Sequence, residues 1–161
     1  MALWQFDLEL MPDHVVCDAP GCIDENITDD GLDTSNWWGN NQPGGDFRHI
    51  IDNIFPPLKS WSSDVLRWGA EDAILVEAFL ADDTLEGISV RVDVRNAVRD
   101  SIAELTKLAI ALECHLYVME TQKIVAADVD LLLSHLAKSS AVKFAHDPKG
   151  YVERIARETG E

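Results

Sequence analysis

The stretch AILVEAFLADDTLEGISVRVDVRNAVRDSIAELTKLAIALECHLYVM, Ala73 to Met119, reads as strand, turn, strand, helix, strand, and it decides the fold. Ile74, Val76, Ala78 and Leu80 alternate along one side of the first strand; Ile88, Val90, Val92 and Val94 do so along the second. Alternation of this kind marks a half-buried strand. Asp82 to Gly87 has turn composition, so the pair is predicted to be a β-hairpin. After Asn96 the apolar spacing lengthens to a helical period of about 3.6. Ile102, Leu105, Leu108, Ala109 and Leu112 then share one stripe, and His115 to Met119 forms a short closing strand.

Working outward, Trp4, Phe6, Leu8 and Leu10 alternate with Gln5, Asp7 and Glu9, and Pro12 ends that strand because proline cannot donate to a ladder. Residues 13–45 lose periodicity and form a long acidic loop, which Trp37 and Trp38 are expected to anchor in part. Asp46 is placed as the cap of a short helix running to Phe55, stopped by Pro56 and Pro57. A short strand is expected over 64–68, and another over 123–125. Asp128 caps a helix that buries Leu131, Leu132, Leu136 and the stem of Lys138. Asp147 and Pro148 open a last helix, with Tyr151, Val152, Ile155 and Ala156 facing inward.

These elements predict an α+β fold: one mixed, mostly antiparallel sheet of about five strands with two or three helices on one face, all in a single domain spanning 1–161. The predicted core is Phe6, Leu8, Ile74, Val76, Val90, Val92, Ile102, Leu105, Leu112, Leu116, Val118, Leu132 and Ile155.

Charge narrows the function. The chain carries 13 Lys and Arg against 29 Asp and Glu, a net of −16. Up to Leu58 a single cation, Arg48, faces eleven carboxylates, so the acidity concentrates in the N-terminal third. Such a surplus disfavours nucleic acid, whose binding relies on Lys and Arg replacing counterions, and it disfavours anionic membrane surfaces. It favours steering of a basic partner. The N-terminus has no basic segment followed by an apolar run, no stretch is long and apolar enough to span a bilayer, and three cysteines make no disulfide framework. Cytoplasmic residence is the expectation.

Chemistry-bearing residues form few constellations. Ser89, Arg91, Asp93 and Arg95 share one strand face. A register pairing Leu80 with Ile88 sets Glu77 opposite Arg91 and Leu75 opposite Asp93. Glu77, Arg91, Asp93 and Arg95 are thus a candidate small-anion site, weighed against a solvated face laced with ion pairs. His14, Cys17 and Cys22 lack the paired spacing of a zinc site, and Asp24, Glu25, Asp29, Asp30 and Asp33 do not fit a calcium loop. No metal or cofactor is expected. No nucleophile motif appears, Cys114 reads as buried and inert, and His115 as satisfying a helix-terminal carbonyl.

Trp37, Trp38, Trp61 and Trp68 gather around the most acidic region, and core or loop anchoring accounts for two of the four. An indole beside carboxylates is also how a protein-docking patch is built. The candidate partner-binding set is therefore Asp24, Glu25, Asp29, Asp30, Asp33, Trp37 and Trp38. In size, charge and layout the chain resembles small bacterial immunity proteins, which neutralise a co-produced toxin by plugging a basic active site. That resemblance implies a non-catalytic module whose partner is a basic protein. A further reading is self-association into a homodimer, through a strand edge left open at Pro12 or at His115.

Overall fold

The computed structural model describes residues 3–13, 38–39, 42–43, 46–96 and 98–159. Seven strands form one sheet: β1 (Gln5–Pro12), β2 (Pro57–Leu58), β3 (Val65–Gly69), β4 (Ile74–Ala81), β5 (Thr84–Asp93), β6 (Cys114–Val118) and β7 (Lys123–Val125). Their order is β2-β3-β4-β5-β1-β6-β7, and every neighbouring pair is antiparallel. Five helices are seen among the described residues: α1 (Phe47–Asp52), α2 (Val98–Ala111), α3 (Val129–Ala137), α4 (Ser140–His146) and α5 (Pro148–Thr159). The α+β class is as expected. The sheet is larger than the predicted five strands and wholly antiparallel, and the helices exceed two or three.

The difference has local causes. β2 is two residues long and holds Pro57, too short to show a period. Helix α4 was hidden behind Ser139, which reads as loop but caps α4: its side chain accepts from the Val142 N–H. The predicted strand–helix–strand unit is present, yet β5 and β6 are not neighbours. β1 lies between them, antiparallel to both, with Phe6 opposite Val92 and Leu8 opposite Val118.

The hairpin turn is tighter than its composition suggested. Asp82 and Asp83 alone form it, at φ of 50° and 62°. Two left-handed residues suit the right-handed twist of the flanking strands, and aspartate tolerates that region. Thr84 to Glu86 therefore belong to β5, and the pairing slips between Phe79 and Leu80 as it passes Glu86. The expected register is corrected by two residues: Ala78, not Leu80, lies opposite Ile88; Glu77 faces Ser89, and Leu75 faces Arg91. An even shift preserves which face each side chain occupies. At the other end of β4, Gly69 takes φ +95°, and a Cβ there would sit 2.0 Å from the Ile74 carbonyl oxygen, so only glycine fits.

One sheet face carries Phe6, Leu8, Leu10, Val76, Ala78, Ile88, Val90, Val92, Leu116 and Val118, all buried. The α2 stripe of Ile102, Leu105, Leu108, Ala109 and Leu112 is buried with it. Helix α3, capped by Asp128 as predicted, packs on α2 and buries Leu132 and Leu136, with Leu131 partly covered and Lys138 exposed. Helix α1 is also capped as predicted, by Asp46, but ends at Asp52 rather than Phe55. Every predicted core residue is buried except Ile155, which is 39% exposed. The last helix leans chiefly on α4 instead of the sheet, so Val152 and Ala156 are exposed and Tyr151 only partly covered.

Leu105 and Ile155 therefore separate core from surface. Leu105→Ala is expected to lower stability by about 2–5 kcal/mol in urea denaturation. Ile155→Ala, on the exposed side of α5, is expected to cost under about 1 kcal/mol.

Candidate functional site

The second face of the central strands is polar. Antiparallel register lines up Glu9, Ser89, Glu77 and Arg67 across β1, β5, β4 and β3, with Asp7, Arg91 and Leu75 in the next row. Over this face runs a groove of about 630 Å³, lined by Trp4, Trp61, Arg67, Glu77, Arg91 and Arg95 among others.

Each guanidinium has a carboxylate. Arg67 reaches Glu71 at 2.9 Å and the buried Glu77 at 3.4 Å, and lies 5.1 Å from the centre of the Trp61 ring. Arg95 donates twice to Asp93, from Nε at 2.9 Å and Nη2 at 2.6 Å, and lies 4.2 Å from the Trp4 ring centre. Those hydrogen bonds hold the Asp93 carboxyl below the usual carboxylate range, against the opposing effect of burial. Arg91 is the least committed: its Nε is 3.7 Å from Asp7 Oδ1 and its side chain is 46% exposed. Burial raises the Asp7 pKa and outweighs the pull of Arg91.

The four residues of the predicted anion site do share this face, but they do not form the expected constellation. Glu77 is paired with Arg67 rather than set opposite Arg91. Arg95 lies beyond the end of β5, its fork occupied by Asp93. Five carboxylates (Asp7, Glu71, Asp72, Glu77 and Asp93) accompany three guanidiniums here. That balance opposes a free anion and suits a cationic group at the rim.

In the predicted docking set, Asp24, Glu25, Asp29, Asp30, Asp33 and Trp37 lie outside the described residues. Trp38 is 1% exposed and belongs to the core, which corrects its assignment as a docking anchor. The Gln42 side chain fastens that segment to β5, donating to the Trp38 and Leu85 carbonyls at 2.5 and 2.8 Å and accepting from the Leu85 N–H at 3.0 Å. Trp68 is buried as well, its indole N–H donating to Asp52 at 2.7 Å. Among the described tryptophans Trp61 is the exposed one, at 69%. Arg67, which lies against its ring, has no role assigned from the sequence, and Asp7, read there only as a polar position of β1, meets Arg91 on the same face. Only the pairing of β1 with β5, remote in sequence, brings Asp7 to this face.

Of the other chemistry-bearing residues described, His115 is paired and Cys114 is buried. His115 Nδ1 lies 2.5 Å from Asp13 Oδ1, so it pairs with a carboxylate and not a helix carbonyl. Burial pushes the Cys114 thiol up, consistent with an inert residue. Among the described residues no group of three or more His, Cys, Asp or Glu is placed to hold a metal ion, and no helix is long and apolar enough to cross a membrane. Pro12 and His115 belong to β1 and β6, both interior to the sheet, so neither offers the open edge expected for self-pairing. The edges are β2 and β7, two and three residues long. No protein-family model, curated protein or solved structure matches the chain.

Because Asp93 is more acidic folded than unfolded, its stabilising effect is present above the unfolded carboxylate value of about 4 and is lost as pH falls through the folded value. Asp93→Asn is expected to be less stable than the wild type at neutral pH. Denaturation curves taken at successively lower pH should show that gap closing on the acid side.

Proposed function

We propose that this chain is a non-catalytic acidic module that docks a basic protein, as an immunity-type inhibitor docks a bacterial toxin. One observation carries the reading: Trp61, 69% exposed, stands at a groove that also displays Glu71 and Asp72, on a chain of net charge −16. An exposed indole supplies burial on association, and flanking carboxylates supply steering and selectivity. The anchor is also braced. Arg67 lies against its ring and is itself held by Glu71 and Glu77, so little side-chain freedom remains to be lost on binding. The −10 of the N-terminal third adds to the long-range field that draws in a basic partner.

The small-anion reading rests on Arg91 alone, since Arg67 and Arg95 are closely paired. A single exposed guanidinium facing Asp7 is a weak anion site, and the docking reading is the stronger.

The test is capture of partners from the native source on immobilised protein at low and high salt, followed by affinity measurement on the purified complex. A basic polypeptide should be retained at low salt and released as salt rises. Trp61→Ala should then weaken it by about 2 kcal/mol, roughly 30-fold, and Glu71→Lys should slow association. Retention of no basic polypeptide, or a complex indifferent to both substitutions, would overturn the reading.

A further inference from the structure

A second concavity lies where the start of β1 and the residues after β6 meet α4 and α5. It holds about 420 Å³ and is walled by Leu3, Phe6, Met119, Ala141 and Tyr151. The helix beside it is amphipathic. Tyr151, Val152, Ile155 and Ala156 share one side of α5, with Lys149, Glu153, Arg154 and Arg157 on the other. Helix α4 covers that apolar side only in part: Phe144 meets Tyr151 edge-on at 5.7 Å, while Val152 stays 52% exposed. Seven large apolar side chains are exposed among the described residues. Four of them, Leu3, Met119, Val152 and Ile155, belong to the cavity or to α5, and apolar surface gathered in this way marks a contact surface.

Charge and symmetry decide what covers it. The chain carries −16, so two copies repel each other over most of their surfaces. Residues 138–158 are the exception, with five cations, from Lys138 to Arg157, against three carboxylates. Glu120, exposed at the cavity wall, supplies the opposite charge, and the Ser140 N–H at 3.0 Å and hydroxyl hold it in place. A basic strip beside a fixed carboxylate matches the same face on another copy. So does an apolar concavity beside an apolar helix side. Pairing across a two-fold axis requires this self-complementarity, because each copy presents both halves of the contact. A foreign acidic protein would match the cations and leave Glu120 unmatched.

We propose that two copies of this chain pair across a two-fold axis through this face, with Val152 of each copy seated in the cavity of the other. The surface is separate from the Trp61 groove and from the strand edges, and it does not depend on the docking reading. One helix and a cavity mouth make a contact at the small end of specific interfaces, so pairing is expected to vary with protein concentration.

Analytical ultracentrifugation of the full chain, from about 1 µM to about 1 mM, tests the assignment. The mean mass should rise towards twice that of one chain. Pairing should tighten at least threefold from low to physiological salt, as screening relieves the repulsion between two acidic chains. Capture of a basic partner should weaken over the same range, so the two readings fail separately. Val152→Asp, at an exposed position, should weaken pairing tenfold or more and leave the melting curve of the diluted chain unchanged. In a mixture of labelled and unlabelled chains, isotope-filtered NOEs should join the Met119 methyl of one copy to the Val152 methyls of the other. A chain monomeric at the highest concentration, pairing that salt weakens, pairing indifferent to Val152→Asp, or pairing without those NOEs would each overturn the proposal.

Discussion

The structure depends on one long-range pairing: the N-terminal strand inserts between β5 and β6 and bonds to both. Without β1, the meander β2-β3-β4-β5 and the hairpin β6-β7 would be two separate sheets. The pairing brings together residues 80 to 110 positions apart in the chain, as with Glu9 and Ser89 or Leu8 and Val118. What holds it in register is the alternation of the strand itself. Phe6, Leu8 and Leu10 enter the core on one side, while Gln5, Asp7 and Glu9 are left on the other. A slip of one residue would bury two carboxylates and expose three large apolar side chains, so the register is strongly specified.

The candidate site follows from that insertion. Gln5 lines the Trp61 groove, and Asp7 lies on the same face, 3.7 Å from the Arg91 Nε. The carboxylate of Asp7 is within ion-pair range of Arg91 but too far for a hydrogen bond, and its Oδ1 is buried from solvent. Elsewhere in the groove Arg67 and Arg95 are held in ion pairs. Both guanidiniums are also braced against indoles, Arg67 on Trp61 and Arg95 on Trp4, which limits their freedom. Asp93, held in its ionised form by Arg95, is poised to keep that arrangement and not to exchange protons near neutrality.

Much of this was legible in the chain because periodicity reports local structure directly. The alternation in β1, β4 and β5 and the helical stripe from Ile102 to Leu112 needed no tertiary information. The hairpin register was missed because Asp82 and Asp83 occupy left-handed positions where glycine or asparagine is the usual sign. Helix α4 is not legible because Lys138 ends one helix and Ser139, bonded back to the Leu136 carbonyl, caps the next at once. The stripe of α5 read as a buried face, but period alone does not say which element covers it. The tryptophans show the same limit. Trp38 and Trp61 are chemically identical, yet Gln42 draws one segment onto β5 and into the core, while the other indole rests on Arg67 at the surface. Sequence proximity to carboxylates does not distinguish the two; only the second is exposed.

The claim that a basic partner seats on the Trp61 groove is tested most directly by hydrogen exchange on the complex, compared with the free chain. The account predicts new protection over residues 57–79, along β2, β3 and β4 around Trp61, with the amides of α5 unchanged. Protection confined to α5 or to the N-terminal third, with 57–79 exchanging as in the free protein, would contradict it.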